Sequence, residues 1–136
     1  MSTQKPVGVV LVSHSAQVAE AVAELARGLA GGDTAVPVAA AGGTEGGGLG
    51  TSADLIAAAA ASVDRGAGVA VLADLGSAVL TVKALLAEGD ELPEAARLVD
   101  APFVEGAVAA VVTSAAGADL DAVEAAAKEA YTYRKV

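Results

Sequence analysis

Cysteine is absent from this 136-residue chain, which excludes disulfides and thiol catalysis. Tryptophan is absent too, phenylalanine occurs once and aromatic residues make up 2% of a sequence that is 54% hydrophobic. The core must therefore be built from Val, Leu and above all Ala, whose small side chains let helices lie close to a sheet. Cationic residues are scarce: 8 Lys and Arg stand against 17 Asp and Glu, for a formal net charge of −9 and a pI near 4.3. That balance opposes electrostatic capture of nucleic acid or of an anionic membrane surface, so neither is an expected partner. No basic segment precedes a long apolar core, and the longest Ala-rich apolar stretch, Leu55 to Val63, is broken by Ser62 and too short to cross a bilayer. The expectation is a cytoplasmic protein with one domain over residues 1–136.

What is present is an alternation of apolar runs and helix-period segments, the pattern of a βαβα succession. Val7 to Val12 is apolar almost throughout and predicts a central strand covered on both faces. A helix comes next over about Ala16 to Ala30, with Val18, Ala21, Val22, Leu25 and Leu29 on one face and Gly31-Gly32 as its stop. A second strand, Thr34 to Ala40, carries Pro37 and belongs at a sheet edge, because proline has no N–H to give a ladder. The stretch Gly42 to Ser52 reads as a flexible glycine-rich connector, with Ser52 capping a helix to about Asp64. Gly68 to Leu72 predicts a third strand, and Ser77 is read as the cap of a helix to about Glu88. A short strand at Ala96 to Val99 is followed by helices over Val104 to Ser114 and Asp119 to Tyr131, with Gly117 as a stop, Asp119 as a cap and residues 131–136 as a frayed end. The β-branched run Val108, Val111 and Val112 gives the first of these helices some strand character. The architecture expected is α/β: an open, doubly wound, mostly parallel sheet of order 2-1-3-4 with helices on both faces.

The only histidine, His14, ends the first apolar run and precedes the helix opening at Ala16. Loops at strand C-termini face the ligand crevice of such a sheet, and the first amides of the next helix attract anions. With order 2-1-3-4 the chain reverses between strands one and three, which brings Asp74, in Ala73-Asp-Leu-Gly-Ser77, opposite His14. An aspartate bonded to one imidazole nitrogen fixes the tautomer and leaves the other nitrogen as a directed nucleophile. Ser13, Ser15, Thr51 and the amides of Gly76 and Ser77 are the candidates for holding phosphoryl oxygens. The plain alternatives are a capping role for Asp74 and a surface role for His14. A Ser-His-Asp hydrolase is poorly supported, since Ser13 and Ser15 adjoin His14 and no G-x-S-x-G elbow occurs. No His/Cys/carboxylate group has metal-ligand spacing, and neither a metal nor a cofactor is expected.

Val9-Val-Leu-Val-Ser-His-Ser15, Gly50-Thr-Ser52, Leu72-Ala-Asp-Leu-Gly-Ser-Ala78 and Ala101-Pro-Phe-Val-Glu-Gly106, followed by Ser114 to Asp119, together resemble the phosphotransfer subunit of bacterial dihydroxyacetone kinase. That family is part of the mannose-type IIA superfamily. The resemblance implies that His14 accepts a phosphoryl group on Nε2 from the phosphorylated carrier HPr, with Asp74 as its partner. It implies transfer onward to ADP held in a partner kinase subunit, which acts with a dihydroxyacetone-binding subunit. Phosphoenolpyruvate is then the ultimate donor through enzyme I. It implies a homodimer, and HPr-like and enzyme I-like modules supplied by separate proteins. Two other functions fit the residues: a mannose-type IIA domain feeding a sugar-specific IIB protein, and a non-catalytic, flavodoxin-like regulatory domain.

Overall fold

The computed structural model describes residues 5–32 and 35–136. Four strands, β1 (Gly8–Ser13), β2 (Val38–Gly42), β3 (Val69–Ala73) and β4 (Ala96–Leu98), alternate with helices α1 (Ala16–Leu29), α2 (Ala53–Val63) and α3 (Gly76–Glu88). Helices α4 (Phe103–Ala115) and α5 (Leu120–Glu129) complete the chain, with a single 3-10 turn at Ala130–Thr132. All strand pairs are parallel, in the order β2-β1-β3-β4.

The central strands are apolar on both sides because both sides are covered. Val9 and Leu11 of β1 join Ala70 and Leu72 of β3 in a core closed by α1, α4 and α5. Val10 and Val12 join Val69 and Val71 in a second core closed by α2 and α3. Ser15, Ser52 and Asp119 cap α1, α2 and α5 by accepting from the amides of Val18, Leu55 and Ala122. The β-branched half of α4 remains helical, with Ala107, Ala110 and Val111 buried against the sheet, and Gly117, at φ +93°, turns the chain away from it. Inside that packing the buried Ser114 hydroxyl donates to the Val7 carbonyl at 2.8 Å, tying α4 to the start of β1.

The bounds of one strand are corrected. The second strand begins at Val38, after Pro37, and continues to Gly42, whereas Thr34 lies outside the described residues. Pro37 cannot donate and contributes only its carbonyl, which accepts from the Val9 amide at 3.0 Å; the edge position is as expected. Residues 131–136 are all exposed, and two of their side chains bond residues distant in the chain. The Tyr131 hydroxyl donates to Asp100 Oδ1 at 2.7 Å, and the Lys135 ammonium pairs with the Glu105 carboxylate in the first turn of α4.

Candidate functional site

Register builds the site. Val12 of β1 lies beside Ala73 of β3, and the Asp74 amide continues the ladder by donating to the Val12 carbonyl at 3.0 Å. Ser13 and Asp74 therefore emerge side by side at the C-terminal ends of the two central strands. This is where the strand order reverses, the usual crevice of an open α/β sheet.

Four donors converge on the Asp74 carboxylate. Oδ1 accepts from His14 Nδ1 at 2.9 Å and from the Leu75 amide at 2.7 Å. Oδ2 accepts from the His14 amide at 3.1 Å and from Ser13 Oγ at 2.9 Å. Burial pushes the Asp74 carboxyl up, but the bonds from His14, Ser13 and Leu75 outweigh it and hold the group below its ordinary value. An ionised carboxylate only accepts, so His14 Nδ1 carries a proton, and in the neutral ring Nε2 then keeps its lone pair. That ring is 23% exposed and its partner 16%, so the pair is held by protein on one side and open to an approaching molecule on the other. Asp74 does not cap α3: its bond to the adjacent Leu75 amide lies before the helix, whose cap position is Leu75.

Nε2 faces the Ser77 hydroxyl. Because Nε2 has no proton in this tautomer, Ser77 Oγ is the donor. Ser77 does not cap α3 as expected: the helix opens at Gly76, Leu75 occupies the cap position without a side-chain bond, and Ser77 is the second helical residue. The amides of Gly76 and Ser77 belong to the first turn, where a helix leaves its N–H groups without carbonyl partners. The Ser77 hydroxyl of that turn is the group that meets Nε2.

The remaining serine and threonine candidates divide. Ser15 Oγ accepts from Val18 N, which leaves its own proton free, and the residue is half-buried. Ser13 is fully buried and spends its proton on Asp74, so its hydroxyl is turned away from the open side. Thr51 Oγ1 lies 3.1 Å from Thr81 Oγ1, which itself donates to the Ser77 carbonyl; Thr51 must then be the donor of the pair, and its proton is also committed.

The glycine-rich segment after β2 is not a slack connector. Its Gly43 amide donates to the Ser13 carbonyl at 3.1 Å and its Gly50 amide to the His14 carbonyl at 2.9 Å, so both ends clasp the strand turn carrying the histidine. Gly50 does this at φ +139°, a conformation that favours glycine. Gly42 is required by space, since a Cβ there would collide with the Ser15 carbonyl oxygen and stand 2.7 Å from Ala16 Cα.

On the β4 side of Asp74 lies a groove of about 440 Å³ bordered by Gly76, Val79, Lys83, Asp100 and Tyr131. At the far end of α3 the exposed carboxylates of Glu88, Asp90 and Glu91 come within 4.8 Å of one another, a grouping the sequence spacing did not reveal. Among the described residues no helix is long and apolar enough to cross a membrane.

An imidazole at the mouth of a four-stranded parallel sheet, bonded through one nitrogen to a carboxylate and through the other to a hydroxyl in the first turn of a helix, defines the candidate site. Residues 8–124 match the EIIA-man family, described as the PTS system fructose IIA component, and the chain belongs to that family. Its relatives narrow the class. The "PEP-dependent dihydroxyacetone kinase 2, phosphoryl donor subunit DhaM" of Listeria innocua is 37% identical over 118 residues, 86% of this chain and 93% of the relative. The corresponding phosphoryl donor subunit of Escherichia coli K12 is 40% identical over 119 residues; the match covers 86% of this chain but only 25% of that protein, so the chain spans about a quarter of its length. The crystal structure of EF1359, a protein of unknown function, superposes with a TM-score of 0.80 at 30% identity, over 91% of this chain and 94% of the other.

Proposed function

We propose that this chain is the phosphoryl donor subunit of a phosphoenolpyruvate-dependent dihydroxyacetone kinase, working in the cytoplasm as a homodimer, with His14 as a covalent relay. The observation that carries the reading is the bond from His14 Nδ1 to Asp74, which commits that nitrogen and leaves Nε2, on a partly exposed ring, for the Ser77 hydroxyl or an incoming phosphoryl group. In the first half-reaction Nε2 attacks the phosphorus held by the HPr phosphohistidine. A new N–P bond forms as the donor N–P bond breaks, and the electron pair stays with the donor imidazole. In the second, a terminal phosphate oxygen of ADP in the partner kinase subunit attacks, the P–O bond forms and the pair returns to Nε2. That partner then works with the dihydroxyacetone-binding subunit.

Each neighbour has a task in this scheme. Asp74 opposes the positive charge the ring acquires as the phosphoryl group arrives. Ser77 loses its acceptor once the Nε2 lone pair is used and turns its proton to a phosphoryl oxygen. The amides of Gly76 and Ser77 and the free Ser15 proton supply the other neutral donors. Neutral donors suit a relay, which must release what it binds.

The test is mass spectrometry after incubation with enzyme I, HPr and phosphoenolpyruvate, with and without the ADP-loaded kinase subunit. The expected result is an acid-labile phosphoryl group on the His14 peptide that disappears when the loaded subunit is added, while His14→Ala takes up none. The family's description as a sugar component supports a second reading, donation to a IIB protein. Persistence of the label with the kinase subunit and its loss to a IIB protein would select it.

A further inference from the structure

We infer that Ser13 is a positioning residue: its hydroxyl locks the rotation of the Asp74 carboxylate and thereby holds His14 in the tautomer whose Nε2 is free to attack. Terminal carboxylate torsions are broad and roughly two-fold, and the two bonds at Oδ1, from His14 Nδ1 and the Leu75 amide, hold only one oxygen of the plane. Oδ2 needs its own partners, and it has two: the His14 amide and Ser13 Oγ. Only the second belongs to a side chain that mutagenesis can remove without touching the backbone or the nucleophile itself. Ser13 is in turn aimed by the Ser15 amide, which donates to its Oγ at 3.1 Å and leaves the single hydroxyl proton for Asp74. The residue is fully buried, the last of β1, so its hydroxyl has no route to an incoming phosphoryl group. Without it three donors remain on the carboxylate but Oδ2 keeps only the His14 amide, the group is held less firmly, and the ring gains access to the tautomer with its proton on Nε2. Every molecule in that state is inert as a nucleophile at Nε2.

His14 is the chain's only histidine, so one imidazole contributes to a nitrogen-15 spectrum of histidine side chains. At a pH where the ring is neutral, the wild type should show a protonated Nδ1 and an unprotonated Nε2. Ser13→Ala should show averaged signals with proton density on Nε2, a transfer rate from phosphorylated HPr lower by about tenfold and an unchanged KM for that donor. Ser13→Thr, which keeps the hydroxyl, should restore the wild-type tautomer, and Ser13→Cys, of similar shape with a weaker donor, should fall between. If Ser13→Ala does not fold, the Cys variant decides on the same spectrum. A wild-type tautomer in Ser13→Ala or Ser13→Cys, accompanied only by a lower melting temperature, would overturn the inference. The proposed transfer role underlies the rate prediction, but the tautomer is read on the free chain. A wild type with the expected tautomer that takes no phosphoryl group would remove the relay and leave the positioning intact.

Discussion

Asp74→Asn exchanges a group that accepts four hydrogen bonds for one that must also donate, and the site offers the new donor no free acceptor. If the amide nitrogen takes the Oδ1 place, it faces both His14 Nδ1 and the Leu75 amide; the ring answers by moving its proton to Nε2, which ends nucleophilicity. If it takes the Oδ2 place, Ser13 can rotate to accept, but the His14 amide is left pointing at another N–H. Either arrangement leaves one amide unpaired, that of Leu75 in the first and that of His14 in the second, at a cost of about 1–3 kcal/mol. For a chain of this length it corresponds to a melting temperature lower by about 3–10 °C. The kinetic effect is larger, because the negative charge opposing the developing imidazolium is lost in both arrangements and the nucleophile in one. Transfer should slow by about 10²–10⁴-fold. Rapid-quench measurement of single-turnover transfer from phosphorylated HPr, beside a thermal melt, reads both quantities. A folded variant transferring within about threefold of wild type, a barrier change under about 1 kcal/mol, would refute the role given to Asp74.

Acid should weaken the fold through the same carboxylate. Its folded value is depressed, so its contribution is complete above the ordinary carboxylate range and is lost as pH falls through the lowered value. The difference in urea midpoint between wild type and Asp74→Asn should accordingly shrink between neutral pH and about pH 3. Gly42→Ala forces a Cβ into the Ser15–Ala16 backbone and should lower stability by about 1–3 kcal/mol in a thermal melt, with slower transfer, because the strand turn carrying His14 must shift. Ser114→Ala leaves the Val7 carbonyl unpaired in the core and should cost about 1–3 kcal/mol by urea denaturation while transfer is unchanged, the bond being remote from the crevice.

The central strands are legible in the sequence because burial on both faces demands continuous apolar runs, and Val7–Val12 and Gly68–Leu72 have them. Strand order comes from the same logic, with Pro37 consigning β2 to an edge. The boundaries of β2 are less legible. Val38–Gly42 consists mostly of Ala and Gly, residues of weak strand character, and it pairs there because Gly42 and Gly43 allow the chain to lie against the Ser15–Ala16 turn. His14 and Asp74 are visible as strand-end residues on either side of the reversal. Ser13 passes for a phosphoryl ligand when it is grouped with its neighbours as loop; strand alternation, which puts it on the face of Val9 and Leu11, carries the signal that it points inward. Ser77 passes for a cap because Leu75 and Gly76 give no hint that the helix opens earlier. The clasp formed by Gly43 and Gly50 has no signal in composition, since backbone amides look alike in every residue.

The proposed relay requires one particular nitrogen of the His14 ring to carry the phosphoryl group. Nitrogen-15 and phosphorus-31 spectra of the chain after phosphorylation by enzyme I, HPr and phosphoenolpyruvate read that directly. Phosphorus coupled to Nε2 of His14, with the proton retained on Nδ1, is the predicted result; phosphorus on Nδ1, on a serine, or on no residue of the folded chain would contradict it.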